Sequence, residues 1–158
     1  MTDAGSKNLW RISNHHTLDG NGGKKSGARW HSVGSRIVYL ADSPMAAIVE
    51  TLVHLDIDRE DTPQFYNLLR VSVSEGLPIL SLDPPVGNGW KQDLFLTRRI
   101  GDAWLASLKA AIGRVPSVIA PHTWNYLLNP EHPDAKQVQI VEVITERFDN
   151  RLFRFGSR

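Results

Sequence analysis

The order of strand-like and helix-like segments is the feature that most limits how this chain can fold. Short apolar runs bounded by Gly, Pro and Asn predict strands, and only two longer segments repeat apolar residues at helical spacing. The predicted order is β, α, ββ, α, β, β. It is too rich in strands and too irregular for a doubly wound parallel sheet. The pattern therefore predicts a single compact α+β domain over residues 1–158, with a curved or split sheet and few helices.

Two segments are predicted to be helical. Ser43 is a good N-cap and Pro44 suits the first helical position, so a helix is expected to begin there and to run to Leu55. The second helix is expected from Arg98 to Ile112, with Gly113 at its C-terminal cap. The strand-like segments are 9–12, 36–41, 66–73, 78–82, 115–120 and 138–145, with 151–155 as a possible partner of the last.

The remaining segments are predicted to be irregular. Residues 1–8 are expected to form a loose start, and 121–133 a loop or a short helix. The Gly-rich segment 19–27 is expected to be a loop, because so many glycines disfavour a helix or strand. The acidic run 56–61 is expected to be a solvated connection.

Charge and composition exclude several classes of function. Lys and Arg number 18 against 17 Asp and Glu, so the net charge of +1 argues against a direct nucleic-acid or membrane-surface partner. The absence of Cys excludes thiol nucleophiles and cysteine metal sites. No apolar run reaches the roughly 18 residues of a membrane span. We expect a soluble, cytoplasmic protein.

The first predicted helix carries two polar residues among apolar ones. Its apolar residues cover most of the circumference, which predicts a buried helix. Glu50 and His54 are four residues apart and share one face. They could form a structural pair or line a pocket. A metal site is not expected, because no third ligand stands at a motif distance.

A basic group surrounds the Gly-rich segment. Lys24 and Lys25 lie within it and are expected to be solvated. Arg29 follows where apolar order begins, and it suits a phosphate or diphosphate through bidentate hydrogen bonds. The glycine spacing matches neither a P-loop nor a dinucleotide fingerprint.

The third group of polar residues lies near the C-terminus. Ser117 stands in an apolar segment without a nucleophile elbow, so a hydrogen-bonding role fits it better than nucleophilic attack. Asn129 precedes Pro130 and is either a turn residue or an amide donor.

Taken in order, these segments resemble the RES domain, which is named for its Arg, Glu and Ser. The matching residues are Arg29, Glu50 and Ser117, and the resemblance runs from about Leu9 to Arg151. The supporting stretches are Ser26-Gly27-Ala28-Arg29-Trp30, Tyr39-Leu40-Ala41, Ser43-Pro44, Val115-Pro116-Ser117 and Asn125-Tyr126-Leu127-Leu128-Asn129-Pro130.

The resemblance implies a toxin of a bacterial toxin–antitoxin pair that inhibits growth. It implies a fold similar to the ADP-ribosyltransferase toxins of the diphtheria type, and NAD+ as the substrate. Such proteins either destroy NAD+ with water or phosphate as acceptor, or pass ADP-ribose to a protein. The implied partner is a cognate Xre-type antitoxin that occludes the active site, as a hetero-oligomer.

The resemblance also suggests roles for individual residues. Glu50 would stabilise the positive charge that develops on the ribose when the nicotinamide bond breaks. Arg29 would hold the diphosphate or nicotinamide-ribose region, and Tyr39 and Trp30 would pack on nicotinamide. His54 would orient Glu50 or bind a ribose hydroxyl. Ser117, Asn125 and Asn129 would form hydrogen bonds with the polar groups of nicotinamide or ribose.

Three functions remain open at this point. The first is cleavage of NAD+ that depletes it, and the second is mono-ADP-ribosylation of a protein. The third is a module that binds a nucleotide without turnover. A carboxylate in the pocket argues against the third, since it repels an anionic dinucleotide. The apolar Ile48, two residues before Glu50, favours water or phosphate as acceptor over a protein side chain.

Overall fold

One seven-stranded mixed sheet forms the centre of the domain. The computed structural model describes residues 6–55 and 63–153. The strands are β1 (Lys7–Ile12), β2 (Val38–Ala41), β3 (Phe65–Val73), β4 (Ile79–Ser81), β5 (Ile112–Pro116), β6 (Trp124–Leu128) and β7 (Val138–Arg147). Their order in the sheet is β4-β5-β6-β2-β1-β3-β7. The pairing of β4 with β5 is parallel, and the other described pairings are antiparallel.

Helices are few. They are α1 (Asn21–Lys25), α2 (Pro44–His54) and α3 (Leu94–Ser107), and short 3₁₀ turns lie at Gly89–Gln92, Pro133–Gln137 and Asn150–Phe153. The predicted α+β class and the small number of helices are confirmed. None of the helices in the described ranges has the length and apolar character needed to cross a bilayer.

The two faces of the sheet bury different clusters. One face contributes a core that draws on six strands; its fully buried members include Leu9, Val38, Leu69, Val71, Ile112 and Leu128. On the other face, Trp104 of α3 packs with Leu127, and Ala47 of α2 packs with Ala41. Because side chains alternate along a strand, Tyr39 lies on the same face as Ala41, and Asn125 on the same face as Leu127. Both helices therefore flank these two polar residues.

Helix α2 begins where the sequence predicts but is buried less than expected. Ser43 Oγ accepts a hydrogen bond of 3.1 Å from Ala46 N–H, which confirms the N-cap. The prediction of burial on all sides is wrong, since Met45, Val49 and Val53 are 68%, 38% and 57% exposed. The sheet covers only one side of the helix, and these three residues at four-residue spacing form an apolar stripe on the outer side.

Helix α3 lies earlier in the chain than predicted. It begins after Asp93, whose carboxylate caps Leu96 N–H at 3.0 Å. It ends at Leu108, which adopts a left-handed φ of 51° in place of the expected Gly113. Ile112 and Gly113 instead pair with β6 and belong to β5. Apolar residues at the start of β5 extended the helical spacing by coincidence.

The Gly-rich segment contains one helical turn, so the prediction of a plain loop is wrong there. Asp19 Oδ1 accepts a hydrogen bond of 2.9 Å from Asn21 N–H, and Gly20 takes a left-handed φ of 70°. A Cβ at Gly23 would lie 2.7 Å from the carbonyl oxygen of Ser35. Neighbouring residues pack closely against the glycine, which has no side chain. This packing stabilises a helical turn that the low helix propensity of glycine disfavours.

The C-terminal third differs most from the prediction. Residues 121–133 contain strand β6, because its residues pair on both sides, with β2 and with β5. Strand β5 ends at Pro116, short of the predicted 120. The expected strand at 151–155 is wrong where it is described, since Asn150–Phe153 is a 3₁₀ turn. The acidic run 56–61, residues 1–5 and residues 154–155 lie outside the described residues, whereas Lys7 and Asn8 belong to β1 and are not loose.

Candidate active site

Glu50 stands on α2 and reaches toward two polar residues of the sheet side. Its Oε1 accepts a hydrogen bond of 2.8 Å from Asn125 Nδ2. The same oxygen accepts a longer hydrogen bond of 3.4 Å from Ser117 Oγ. Among the described residues, the other carboxylate oxygen, Oε2, accepts no hydrogen bond. The arrangement orients the carboxylate through one oxygen and leaves the second available.

Ser117 is held in place by the backbone of the loop that follows β5. The residue is 6% exposed, and its N–H donates to the carbonyl oxygen of Thr123 at 2.8 Å. Its Oγ accepts hydrogen bonds from Ile119 N–H at 3.1 Å and Ala120 N–H at 3.3 Å. Two donors already occupy the lone-pair side of Oγ, so the hydroxyl proton is directed to Glu50.

Asn125 lies on β6 directly opposite Ala41 of β2. Its amide nitrogen is committed to Glu50, so its Oδ1 faces elsewhere. This oxygen is buried and has no hydrogen-bond partner among the residues that the structure describes. A buried acceptor without a partner is costly, so Asn125 is held beside Glu50 at the expense of one unmet hydrogen bond.

Arg29 belongs to a second group of candidate residues, in segment 28–32. Hydrogen bonds anchor both its side chain and its backbone. Its Nη1 donates to the carbonyl oxygen of Lys91 at 2.8 Å. Thr97 of α3 donates from Oγ1 to the carbonyl oxygen of Arg29 at 2.7 Å, and Arg98 Nε donates to that of Ala28 at 2.9 Å. A guanidinium has five N–H donors, so one anchoring bond leaves Arg29 free to bind an anion.

The same helix holds the rest of segment 28–32. Asp102 accepts hydrogen bonds from Ser32 N–H at 2.9 Å and from Ser32 Oγ at 2.6 Å. Gly101 lies so close to Trp30 that a Cβ there would overlap the carbonyl oxygen of Trp30. Helix α3 therefore holds segment 28–32 from one side.

Tyr39 joins that segment to the sheet. Its hydroxyl oxygen accepts a hydrogen bond of 3.1 Å from Trp30 N–H and lies 2.8 Å from His31 Nδ1. Burial raises the pKa of Tyr39 far above the ordinary value for tyrosine. The side chain is a neutral phenol at physiological pH, and it supplies an aromatic surface rather than a charge.

Three other residues expected at the site occupy different environments. Trp30 is 2% exposed and packs against Trp90 at 5.9 Å between ring centroids, so its ring belongs to the core. His54 is exposed and makes no hydrogen bond to Glu50 in the described part of the chain.

Asn129 is also engaged within the fold. The residue is 3% exposed, its Nδ2 donates to the carbonyl oxygen of Leu105 at 3.2 Å, and its Oδ1 accepts from Glu131 N–H at 3.0 Å. It lies four residues beyond Asn125, or about 13 Å along an extended strand. The amide thus supports the turn after β6, apart from the Glu50 cluster.

The structure adds one residue that sequence reasoning missed. His31 is 2% exposed and contacts Tyr39, yet nothing in the sequence separates it from an ordinary core histidine. The only available signal is its position two residues after Arg29. Lys24 and Lys25 are exposed, as expected. Within the described ranges, no three His, Asp or Glu side chains are grouped closely enough to hold a metal ion.

Comparisons with known proteins agree on one family. A family model described as "RES domain" matches residues 8–150. The chain is 44% identical over 146 residues to a protein named "Toxin Res" from Pseudomonas putida, covering 92% of this chain and 99% of that protein. It is 34% identical over 157 residues to "Prs ADP-ribosylating toxin" from a Sphingobium strain, covering 92% and 96%. A "Toxin Res" of Yersinia enterocolitica is 32% identical, covering 86% and 90%.

Proposed function

The chain belongs to the RES-domain family, and from this premise we propose that it binds NAD+ and breaks the bond between nicotinamide and ribose. The observation that carries the proposal is the Glu50 carboxylate, which Asn125 and Ser117 hold through Oε1 while Oε2 stays uncommitted. An oriented carboxylate can stabilise the positive charge that this bond cleavage develops.

The chemistry follows from charge. The electron pair of the breaking bond leaves with nicotinamide, which becomes neutral, and positive charge develops on the ribose. Oε2 of Glu50 stabilises that charge, and because the carboxylate is already oriented, little reorganisation is needed in the transition state. The hydrogen bonds from Asn125 and Ser117 to Oε1 keep the carboxylate in this orientation.

Arg29 and Tyr39 bind other parts of the substrate in this proposal. The guanidinium of Arg29 pairs with the diphosphate through the donors that Lys91 does not use. Tyr39 offers its ring to nicotinamide. Trp30, His54 and Asn129 have no direct role in this proposal, since Trp30 and Asn129 are committed to the fold and His54 stands apart from Glu50.

Two fates of the ADP-ribose unit are compatible with this step. In the first, water or phosphate attacks the ribose and NAD+ is depleted; the apolar Ile48 near Glu50 favours it. In the second, ADP-ribose passes to a cellular protein; the relative named as an ADP-ribosylating toxin favours it.

One assay separates these outcomes. The purified chain is incubated with NAD+, with and without phosphate and with and without cell lysate, and nicotinamide and all ADP-ribose products are measured. Release without lysate indicates hydrolysis or phosphorolysis. Release that needs lysate, with label on a protein band, indicates transfer. No release in any condition refutes NAD+ turnover and leaves a nucleotide-binding module.

We also propose a cognate Xre-type antitoxin as partner, acting in the cytoplasm and blocking the mouth of the site in a hetero-oligomer. The relatives named as toxins support a need for such an inhibitor. Co-expression with the proposed antitoxin should suppress nicotinamide release and give one co-eluting complex. Full activity of that complex would contradict occlusion.

A further inference from the structure

The hydrogen bonds around His31 can each be given a direction. Nε2 of His31 lies 3.1 Å from the carbonyl oxygen of Gly23, and a carbonyl can only accept, so Nε2 carries a proton. Trp30 N–H can only donate, so the oxygen of Tyr39 accepts that bond at 3.1 Å. What remains is the 2.8 Å contact between Nδ1 of His31 and the hydroxyl of Tyr39.

Only one protonation pattern pairs every group in this chain of contacts. With a neutral imidazole, Nδ1 accepts the phenolic proton of Tyr39, and all donors and acceptors are used. With a doubly protonated imidazole, Nδ1 donates to the Tyr39 oxygen, and the phenolic proton is left without an acceptor in a largely buried place. The charged side chains acting on Tyr39 are the cations Arg29 and Arg98 and the anion Asp102.

The glycine at position 23 is required for this arrangement. A Cβ there would lie 3.1 Å from Nε2 of His31 and 2.8 Å from Cγ2 of Ile37. Without a side chain, the turn of α1 can approach the imidazole closely enough for its carbonyl to accept the Nε2 proton. The Gly-rich segment is thus linked to Tyr39 through His31.

We propose that His31 is a positioning residue for Tyr39. As a neutral imidazole protonated on Nε2, it takes the phenolic proton of Tyr39 on Nδ1. Tyr39 therefore meets the substrate with its ring and the remaining lone pair of its oxygen, as an acceptor, and it does not supply a proton. This inference rests on the proposed function, because it deepens the role of Tyr39 in the same site.

The tautomer can be observed directly and without any turnover. Nitrogen NMR of the full chain labelled in histidine should show, at neutral pH, a signal pair with Nε2 protonated and Nδ1 unprotonated. Loss of this pair in His31→Asn assigns it to His31. A pair with Nδ1 protonated, or a charged imidazole at neutral pH, overturns the proposal.

Two variants whose new side chains have nearly the same shape as each other test the effect on the reaction. In His31→Asn, the amide oxygen is attached to Cγ as Nδ1 is, so it can accept the Tyr39 proton. In His31→Leu, the side chain has nearly the same shape as that of Asn but offers no hydrogen-bond acceptor. Both lose stability, and kinetics are compared on the folded fraction. The Asn variant should keep kcat/KM within about threefold of wild type, and the Leu variant should lose at least tenfold relative to Asn. Equal values for the two variants overturn the proposal.

His132 supplies a matched control. It also uses both ring nitrogens, accepting from Asp134 N–H at Nδ1 and contacting the carbonyl oxygen of Leu108 at Nε2. His132→Asn should lose stability and keep wild-type kcat/KM on the folded fraction. A loss as large as that of His31→Leu would mean that replacing any hydrogen-bonded histidine gives this effect, which overturns the proposal.

A double variant shows whether His31 acts through Tyr39. Adding His31→Leu to Tyr39→Phe should lower kcat/KM by less than twofold beyond Tyr39→Phe alone, because the contact is already lost. Additive losses would overturn the proposal. If the wild-type chain releases no nicotinamide, the proposed function fails, while the tautomer measurement still decides the hydrogen-bond pattern of His31.

Discussion

Gly101→Ala should disable the site from a position outside it. Gly101 lies on α3 where the helix meets the backbone of Trp30. An added Cβ would overlap the carbonyl oxygen of Trp30 and lie 2.7 Å from its carbonyl carbon. The contact is backbone on both sides, so no side-chain rotation relieves it. The helix and segment 28–32 must separate.

The size of the effect follows from what that separation breaks. An ordinary contact begins at 3.4 Å, so the carbon alone requires a shift of at least 0.7 Å, and the oxygen requires more. The bonds that Thr97, Arg98 and Asp102 make to segment 28–32 are 2.6 to 2.9 Å long, and each weakens or breaks. Overpacking costs about 1–3 kcal/mol, and each lost hydrogen bond about 1 kcal/mol. With overpacking of about 2 kcal/mol and the equivalent of about two of the four bonds lost, we expect a loss of about 4 kcal/mol.

Urea unfolding measures the free energy of unfolding, and nicotinamide release measures activity on the folded fraction. Activity should fall by more than the unfolded fraction explains, because Arg29 moves with the segment. Gly22→Ala is the control, since a Cβ there meets nothing within 4 Å; it should change the unfolding free energy by less than about 1 kcal/mol. A Gly101→Ala protein within about 1 kcal/mol of wild type, with normal activity, would refute the packing described for α3.

Three further predictions concern the site itself. Glu50→Gln keeps the shape of the side chain and removes its charge, so kcat should fall by at least about 100-fold with little change in stability. Glu142→Gln on β7 is the control. Near-normal turnover by Glu50→Gln would contradict the role of the carboxylate. Arg29→Ala should raise KM by about 30-fold, the equivalent of about 2 kcal/mol for a charged hydrogen bond, whereas a normal KM with a collapsed kcat would move Arg29 to the transition state. Burial raises the pKa of Tyr39, so the folded state holds the phenolic proton more tightly than the unfolded state. The free energy of unfolding should therefore fall as pH rises above the ordinary tyrosine pKa of about 10. Tyr39→Phe should remove that fall in urea titrations at alkaline pH. An equal fall in both proteins would contradict the buried phenol.

Local signals in the sequence predict the elements that carry their own start and stop residues. Ser43 and Pro44 place the start of α2 correctly, because the cap is a contact within four residues. The end of α3 is missed, because Leu108 takes a left-handed conformation that only its surroundings can stabilise. Strand β6 is missed for the same kind of reason: Asn and Pro surround it, and its stability comes from two neighbouring strands.

The sequence likewise predicts some residues of the site and not the contacts that position them. The sequence, read with the family resemblance, selects Glu50, Ser117 and Asn125, and the structure places the three within hydrogen-bonding distance. Spacing could not show that His54 is exposed on the same helix, because an 11-residue helix does not reveal which of its sides the sheet covers. The anchoring of Arg29 by Thr97 joins residues 68 positions apart, and single-sequence periodicity has no access to such a pair.

The attachment of Arg29 to α3 and of Glu50 to α2 has a genetic consequence. Selection for cells that survive expression of this chain should recover more than changes at the two charged residues. Substitutions at Thr97, Gly101 and Asp102 remove the supports of segment 28–32 and leave every substrate-facing side chain intact. Survivors should therefore also map to codons 97–102, a stretch that encodes no residue that touches NAD+ in the proposed reaction.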